Sequence, residues 1–440
     1  MKNLNLPTNY SVLTTRINPA ASGSACHVFH NNTWGMAYVN DTAPAGLSAV
    51  VRQAMRSARQ ASALLTCPNI KLPIPNPTTK TIMSPYYKNG QLTVTQPQLT
   101  ELKQLYNAFI ARMCPNLDTW QVSAQAGCET KTLSSSVGAQ LYQVTTEITL
   151  TVSLTAGRHT LQESFYYAAD ISLLHSQHDK ICAAITRLYE HLRRKKEAIH
   201  IPDSYSACVL SPKMAAKLIH EAFGHLAEAD YVLAKAPLAP LYCIPPLSNK
   251  ITIVDYAHTA FGKTVPMPMY IDDEGVTAQD VTLIKDGQVN ACMTSLETSA
   301  LLGTPLTGNA RAATYQNEPL VRMRNTALHP WHDDPAQILA SIENGYYLVD
   351  SSEDGGDPSG EFASKVSIAY KVKNGQICES IKDCVIWGNA VEFLRSITMV
   401  GNDFEWQIDD CTKLSGEMTQ KVRTTSGAPT IKANLDIGVL

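Results

Sequence analysis

No Cys-x-x-Cys pair occurs in the chain, and its eleven cysteines are scattered and odd in number. That argues against a disulfide-stapled secreted scaffold and a paired-thiol zinc ribbon. The thiols read as reduced, most of them small buried hydrophobes, with one or two available as ligands. Charged residues are only 17% of the sequence and the net charge is −3. No basic field therefore marks a nucleic acid or an anionic membrane as a partner. The basic run Arg193-Arg194-Lys195-Lys196 reads as a helix end whose cations face the negative pole of the helix dipole. No stretch approaches the roughly 18 apolar residues of a membrane helix. The opening MKNLNLPTNYSVLTTRINPA has no apolar core or cleavage-like site, so the expectation is no secretory signal and a cytoplasmic location. Internal repeats and low-complexity tracts are also missing.

What is present is 440 residues, 44% of them hydrophobic, enough for two or three cores. Residues 1–25 are weakly patterned. The stretch HVFHNNTWGMAYVN holds a turn, with His27 and His30 expected at a surface or edge. APAGLSAVVRQAMRSARQASALL has helical periodicity, with Leu47, Val50, Val51, Met55 and Ala58 on one side. A proline-rich connection, CPNIKLPIPNPTTKTIMSPYYKNG, reads as an extended loop. A second helix is expected over Gln98 to Met113. In VTTEITLTVSLT the apolar residues Val144, Ile148, Leu150, Val152 and Leu154 alternate with threonines, serine and Glu147. That period of two predicts a half-buried antiparallel strand, with RHTLQESFYYAAD as its partner. A helix from about Gln177 to Lys196 follows.

Beyond Pro202 the texture changes. ACVLS reads as a short buried strand, and short strands and turns dominate from Ile251. Two hairpins are expected at Asp286-Gly287 and Asn374-Gly375, and AVEFLRSITMV reads as a helix. The predicted fold class is α+β. A mixed helix and antiparallel-sheet domain (1–200) precedes a β-rich domain (201–440), with the boundary near 198 to 204.

Chemistry concentrates in KLIHEAFGHLAEAD, residues 217–230. Ser211 and Pro212 start its helix as N-cap and first residue. The two histidines, His220 and His225, are five apart instead of the four of the familiar zinc-protease helix. At roughly 100° per residue they stand about 140° apart around the axis. They reach one metal only if the helix widens into a π turn or ends near Gly224. Without that, His220 is an ordinary helix histidine and His225 a C-terminal cap. Glu221 favours the metal reading, because metal-assisted hydrolysis needs a nearby proton acceptor.

HEAFGHLAEAD resembles the HExxxH signature of the TldD/PmbA family of metalloproteases, in its zinc-bearing TldD-like branch. The resemblance continues in order through VDYAHTAFGKTVPMPMYIDDEGVTAQDVTLIKDGQV and LTGNARAATYQNEPLVRMRNT. It extends to GNAVEFLRSITMVGNDFEW and CTKLSGEMTQKVRTTSGAPTIKANLDI, and so spans roughly residues 205 to 440. It is weaker in TWGMAYVNDTAPAGL and the long alternating strand.

The resemblance implies Zn2+ held by His220, His225 and Cys411, with Glu221 as general base. Three protein ligands leave a fourth position open for catalysis. Sequence alone does not separate Cys411 from Cys384, His258, His329, His332 or a carboxylate of the DDEG turn. Candidate substrate contacts are Asp273, Glu274, Thr307, Asn309, Arg311 and Arg322. The acidic turn is equally readable as solvated, and the arginines as partners of Glu228, Asp230 or Asp255. Leu226 and Ala229 stand where the family has glycines, which narrows the expected cleft. The chain also starts late relative to the family, which bears on the N-terminal sheet and on partner contacts.

The resemblance implies a zinc peptidase acting on unfolded or modified peptides, with the peptide entering as an added strand. It also implies a dimer, either with a paralogous TldE/PmbA-like subunit that lacks the motif or with a second copy. A narrow amidase acting on a peptide-derived intermediate in natural-product biosynthesis is the alternative. A non-catalytic binding subunit would not need the intact set His220, Glu221, His225 and Cys411.

Overall fold

The computed structural model describes residues 10–18, 21–65, 69–167, 171–234, 246–356, 359–415 and 418–439. Helices and strands are mixed, as an α+β chain requires. Three larger sheets carry the architecture.

The first sheet runs in the order Thr33–Val39, Ser22–His30, Tyr10–Ile17, Thr119–Ser135, Gln140–Ala156, Thr79–Met83, with His159–Tyr167 also on Gln140–Ala156. The alternating strand is antiparallel to its neighbours Thr119–Ser135 and His159–Tyr167. Its apolar face is buried, with Ile148, Leu150, Val152 and Leu154 fully covered. Helices Gln96–Met113 and His178–Lys195 cover that face through Leu99, Leu102, Tyr106, Ile110, Ile181, Ile185 and Leu188. Each large apolar side chain so covered contributes roughly 1.5–3 kcal/mol. Helix Pro44–Leu64 lies on the other end of the sheet, with Leu47, Val50, Val51, Ala54 and Ala58 against Leu13, Cys26 and Val28.

Three sequence expectations fail here. The weakly patterned start contains the strand Tyr10–Ile17 and the beginning of Ser22–His30. Both lie almost wholly inside, so the two-residue alternation that betrays a half-exposed strand is lost. The proline-rich connection contributes the strand Thr79–Met83, which pairs in parallel with Gln140–Ala156 at the sheet edge. A parallel edge partner comes from distant pairing, which local punctuation does not report. His27 is buried, and burial pulls its pKa down to about 4.

In the second sheet, Ser204–Leu210 pairs with both Asn344–Gly356 and Ile431–Val439. Through Glu361–Lys373 and Cys384–Asn389 the pairing closes into a ring of strands. The third sheet has the order Gln288–Val289, Val281–Lys285, Ile253–Tyr256, Asn325–Leu328, Met418–Ala428, Glu405–Ser415. The two hairpins form where expected. Asp286, Gly287, Asn374 and Gly375 all have φ between 47° and 79°, the left-handed pair that a two-residue hairpin turn demands.

Strands of the first sheet lie before residue 168 and those of the other two after residue 203. The halves are nevertheless tied together. The Tyr10 hydroxyl donates to the Glu274 carbonyl oxygen, and Arg16 and Lys131 grip Asp273. Ile368 and Tyr370 complete the core under the helices of the first half.

Candidate metal centre

The helix Pro212–Ile219 leaves the ring strand Ser204–Leu210 with Ser211 as its cap, whose hydroxyl accepts the Met214 amide. It is apolar on nearly all sides, and Met214, Ala215, Ala216, Leu218 and Ile219 are buried. The helix then widens. His220–Gly224 form a π turn in which the His225 amide donates to the His220 carbonyl, and a tight turn His225–Ala227 follows. The widening rotates the second histidine back toward the first. Their rings stand 5.2 Å apart and perpendicular.

Close packing fixes this turn on two sides. A Cβ on Gly224 would lie 2.1 Å from the Met323 sulfur, and one on Gly356 would lie 2.3 Å from the Glu221 carbonyl oxygen. Each glycine therefore admits a neighbour that any larger residue would push away.

The strand Glu405–Ser415 brings Cys411 to the same place. Cys411 Sγ lies 3.5 Å from His225 Nε2. Donor atoms of His220, His225 and Cys411 all lie within 4.8 Å of one another, and all three residues are buried. Zinc bond lengths of 2.0–2.3 Å in a tetrahedron place a nitrogen and a sulfur donor about 3.6 Å apart. The donor set thus fits zinc in chemistry, count and spacing. Among the described residues it is the one such cluster. The alternatives lie elsewhere. His329 bonds the Tyr256 hydroxyl at 2.6 Å, His258 stacks on Tyr270, His332 lies against Trp331, and Cys384 sits in the core.

The thiol and the two imidazoles shift in opposite directions, each favouring the charged form of the other. Burial pushes the Cys411 thiol up, but His220 and His225 outweigh it and hold it well below its usual range. Burial opposes a charge on His225, yet Glu228 and Cys411 raise its pKa well above normal. His220 shifts up too, burial being outweighed by Cys411 and Glu221. Glu221 reaches within 4.0 Å of His220 Nε2 and 3.9 Å of His225 Nε2. Burial raises its carboxyl pKa against the pull of both imidazoles, the direction a general base at neutral pH needs.

Behind the donors lies a buried polar frame. His225 Nδ1 donates to Glu228 Oε2 at 3.1 Å. A carboxylate only accepts, so Nδ1 carries the proton and Nε2 is left to face Cys411. Burial would raise the Glu228 pKa, but Lys413 and His225 bring it to about 2. Lys413 Nζ lies 2.8 Å from Glu228 and from Asp230, and 4.0 Å from the Tyr231 ring centre. Arg322 donates to the carbonyl oxygens of Cys411 and Gln420.

A cleft of about 260 Å³ opens at His220 and Glu221, lined also by Lys217, Ser352, Asp354, Asp409, Asp410 and Ser426. A second cavity of about 400 Å³ shares Lys217, Ser352 and Asp409 with it and reaches the strand His159–Tyr167. None of the six expected substrate contacts lines either space. Asp273 holds Arg16, Lys131 and the Ala312 amide. Glu274 accepts the Leu296 amide, and Thr307 accepts the Thr294 amide. Asn309 bonds Asp255, and Arg311 donates to the Met323 and Arg423 carbonyls. Arg322 turns to backbone carbonyls, and Arg324 takes Asp255 instead. All six are buried and held by partners inside the fold. Leu226 and Ala229 are core residues and do not narrow the cleft.

The sequence reading missed Lys413, Asp354, Asp409 and Gly356. Lys413 had a signal, since two positions past Cys411 on a strand is the same face.

A family model described as the PmbA/TldA metallopeptidase C-terminal domain matches residues 203–438, more than half of the chain. The chain belongs to the PmbA/TldD family. A zinc metalloprotease TldD homolog of Saccharolobus solfataricus is 36% identical to this PmbA/TldD member over 230 residues. That match takes in 51% of this chain and about half, 49%, of the relative. The metalloprotease slr0863 of Synechocystis is 27% identical over 408 residues, covering 88% of this chain and 82% of that one. The crystal structure of TldE from Thermococcus kodakarensis superposes with a TM-score of 0.71 at 17% identity, covering 98% and 95% of the two chains. At that identity the likeness speaks for the PmbA/TldD fold alone.

Proposed function

We propose that this chain is a zinc-dependent peptidase that hydrolyses amide bonds of unfolded or modified peptides. One observation carries the reading: His220, His225 and Cys411 converge in a buried cluster with the Glu221 carboxylate about 4 Å from both imidazoles. The metalloprotease names of the relatives point the same way. His220, His225 and Cys411 would hold the zinc, which supplies a Lewis acid that makes water more acidic and polarises a carbonyl. Glu221 takes a proton from the attacking water and passes it to the leaving amine. Glu228 keeps the His225 ring oriented, and Lys413 keeps Glu228 ionised.

The metal site belongs to the C-terminal unit, 201–440, and the N-terminal unit, 1–200, supplies one wall of the groove. Two strand edges border that groove. His159–Tyr167 pairs only with Gln140–Ala156, and Glu405–Ser415 only with Met418–Ala428, among the described residues. An extended peptide would bind there by backbone hydrogen bonds, whatever its sequence. The groove joins two spaces of about 260 and 400 Å³, which favours a peptide over a small amide. The partner proposed is a paralogous TldE-like subunit or a second copy, and the compartment proposed is the reducing cytoplasm.

The test is Glu221→Ala with metal analysis and a peptide-library cleavage assay, with and without a co-purified partner. The expected result is a variant that keeps zinc and loses cleavage. Cleavage at the wild-type rate would sink the general-base assignment.

A further inference from the structure

The charges along the groove are nearly all paired. Lys213 is held by Glu163 and Asp350, at 2.9 and 2.8 Å. Lys217 is held by Asp350 at 2.9 Å and lies 3.8 Å from Asp354. Asp410 lies 3.0 Å from Lys421 and 3.7 Å from Arg423. Asp409 differs. It is exposed, it lines both joined cavities, and no cation among the described residues lies within ion-pair distance. Its side chain accepts the Asp410 amide at 2.8 Å.

Position on the strand gives this carboxylate a reach. Asp409 and Cys411 are two residues apart on Glu405–Ser415 and so share a face. At about 3.4 Å per residue they are separated by roughly 7 Å. An extended peptide beside this edge advances at the same rate. A side chain opposite Asp409 therefore belongs to a residue about two positions from the amide held at the Cys411 cluster.

We propose that Asp409 is a specificity residue that selects a lysine or arginine about two positions from the scissile amide. This rests on the peptidase reading above. The gain is that of a solvent-open ion pair, about fivefold at most, and salt weakens it.

The experiment uses the full-length zinc-loaded protein and a peptide set with lysine, norleucine or glutamate at each position flanking the cut. Wild type should cleave the lysine peptide about fivefold faster in kcat/KM than the norleucine peptide at one position only. Asp409→Asn should bring that ratio to near one, and Asp409→Lys should favour glutamate. Equal ratios in wild type, or an unchanged lysine preference in Asp409→Asn, would overturn the proposal. Ratios within each variant are insensitive to general losses of activity. Binding of the same peptides to Glu221→Ala gives a second readout that needs no cleavage. Lysine-selective binding lost in Glu221→Ala/Asp409→Asn supports Asp409 even if the hydrolytic reading fails.

Discussion

The His225 amide donates to the His220 carbonyl oxygen, five residues back instead of four. That bond is what makes the odd histidine spacing usable. A regular helix would splay the two rings by about 140°. The widened turn sets them perpendicular at 5.2 Å, with Cys411 3.5 Å from the second. Helix widening of this kind recurs at functional sites because it spends backbone regularity on side-chain placement.

Glu228→Gln should weaken zinc binding by about 10- to 100-fold, the usual cost of losing a carboxylate behind a ligand histidine. Competition with a chelator measures it. Wild-type affinity in the variant would remove Glu228 from the account.

Lys413→Met should cost stability more than affinity. Lys413 neutralises Glu228, which is fully buried. Removing one member of such a pair costs about 3–5 kcal/mol. Urea unfolding of the metal-free protein should show it, and the double variant Lys413→Met/Glu228→Leu should recover most of the loss. A single variant as stable as wild type would contradict the buried pair.

Gly356→Ala should lower activity while sparing the metal. The new Cβ would lie 2.3 Å from the Glu221 carbonyl oxygen, and backbone must give way. Overpacking of this kind costs about 1–3 kcal/mol. The general base moves before the ligands do. Unchanged kcat with unchanged stability would show that the strands shift freely there.

Asp273 sets an acid limit on the fold. Burial opposes its charge, but Arg16 and Lys131 hold its pKa well below the carboxylate range. A depressed folded pKa means the unfolded chain takes up the proton first. The stabilisation is therefore complete above the unfolded value of about 3.9 and is lost as pH falls below it. Asp273→Asn should lower Tm at pH 7 and flatten the fall of Tm at acid pH. Parallel curves for the two proteins would contradict this.

Periodicity exposed the parts of the fold that have two unlike faces. The strand around Ile148 and Leu150 and the helices at 44–64 and 178–195 were legible because one side is wet. Tyr10–Ile17 was not, since almost every residue of it is covered, and neither was Thr79–Met83, whose partner lies some sixty residues on. At the site, His220, Glu221 and His225 lie within six residues and stand out as a candidate, with an ordinary helix reading open until the resemblance is weighed. Cys411 arrives from a separate sheet, and only the resemblance singled it out. The six polar residues read as substrate contacts share their types with real binding residues. In the structure they are buried among internal partners, Asn309 on the Asp255 carboxylate and Arg311 on two backbone carbonyls. Sequence spacing carries neither the burial nor the partners.

Zinc content bears most directly on the central claim. Protein purified without chelator, wild type beside Cys411→Ala, is dialysed and its metal measured. Wild type should hold about one zinc per chain, as a three-ligand site does, and Cys411→Ala should lose most of it while remaining folded by circular dichroism. Equal zinc in the two proteins would contradict the site built from His220, His225 and Cys411.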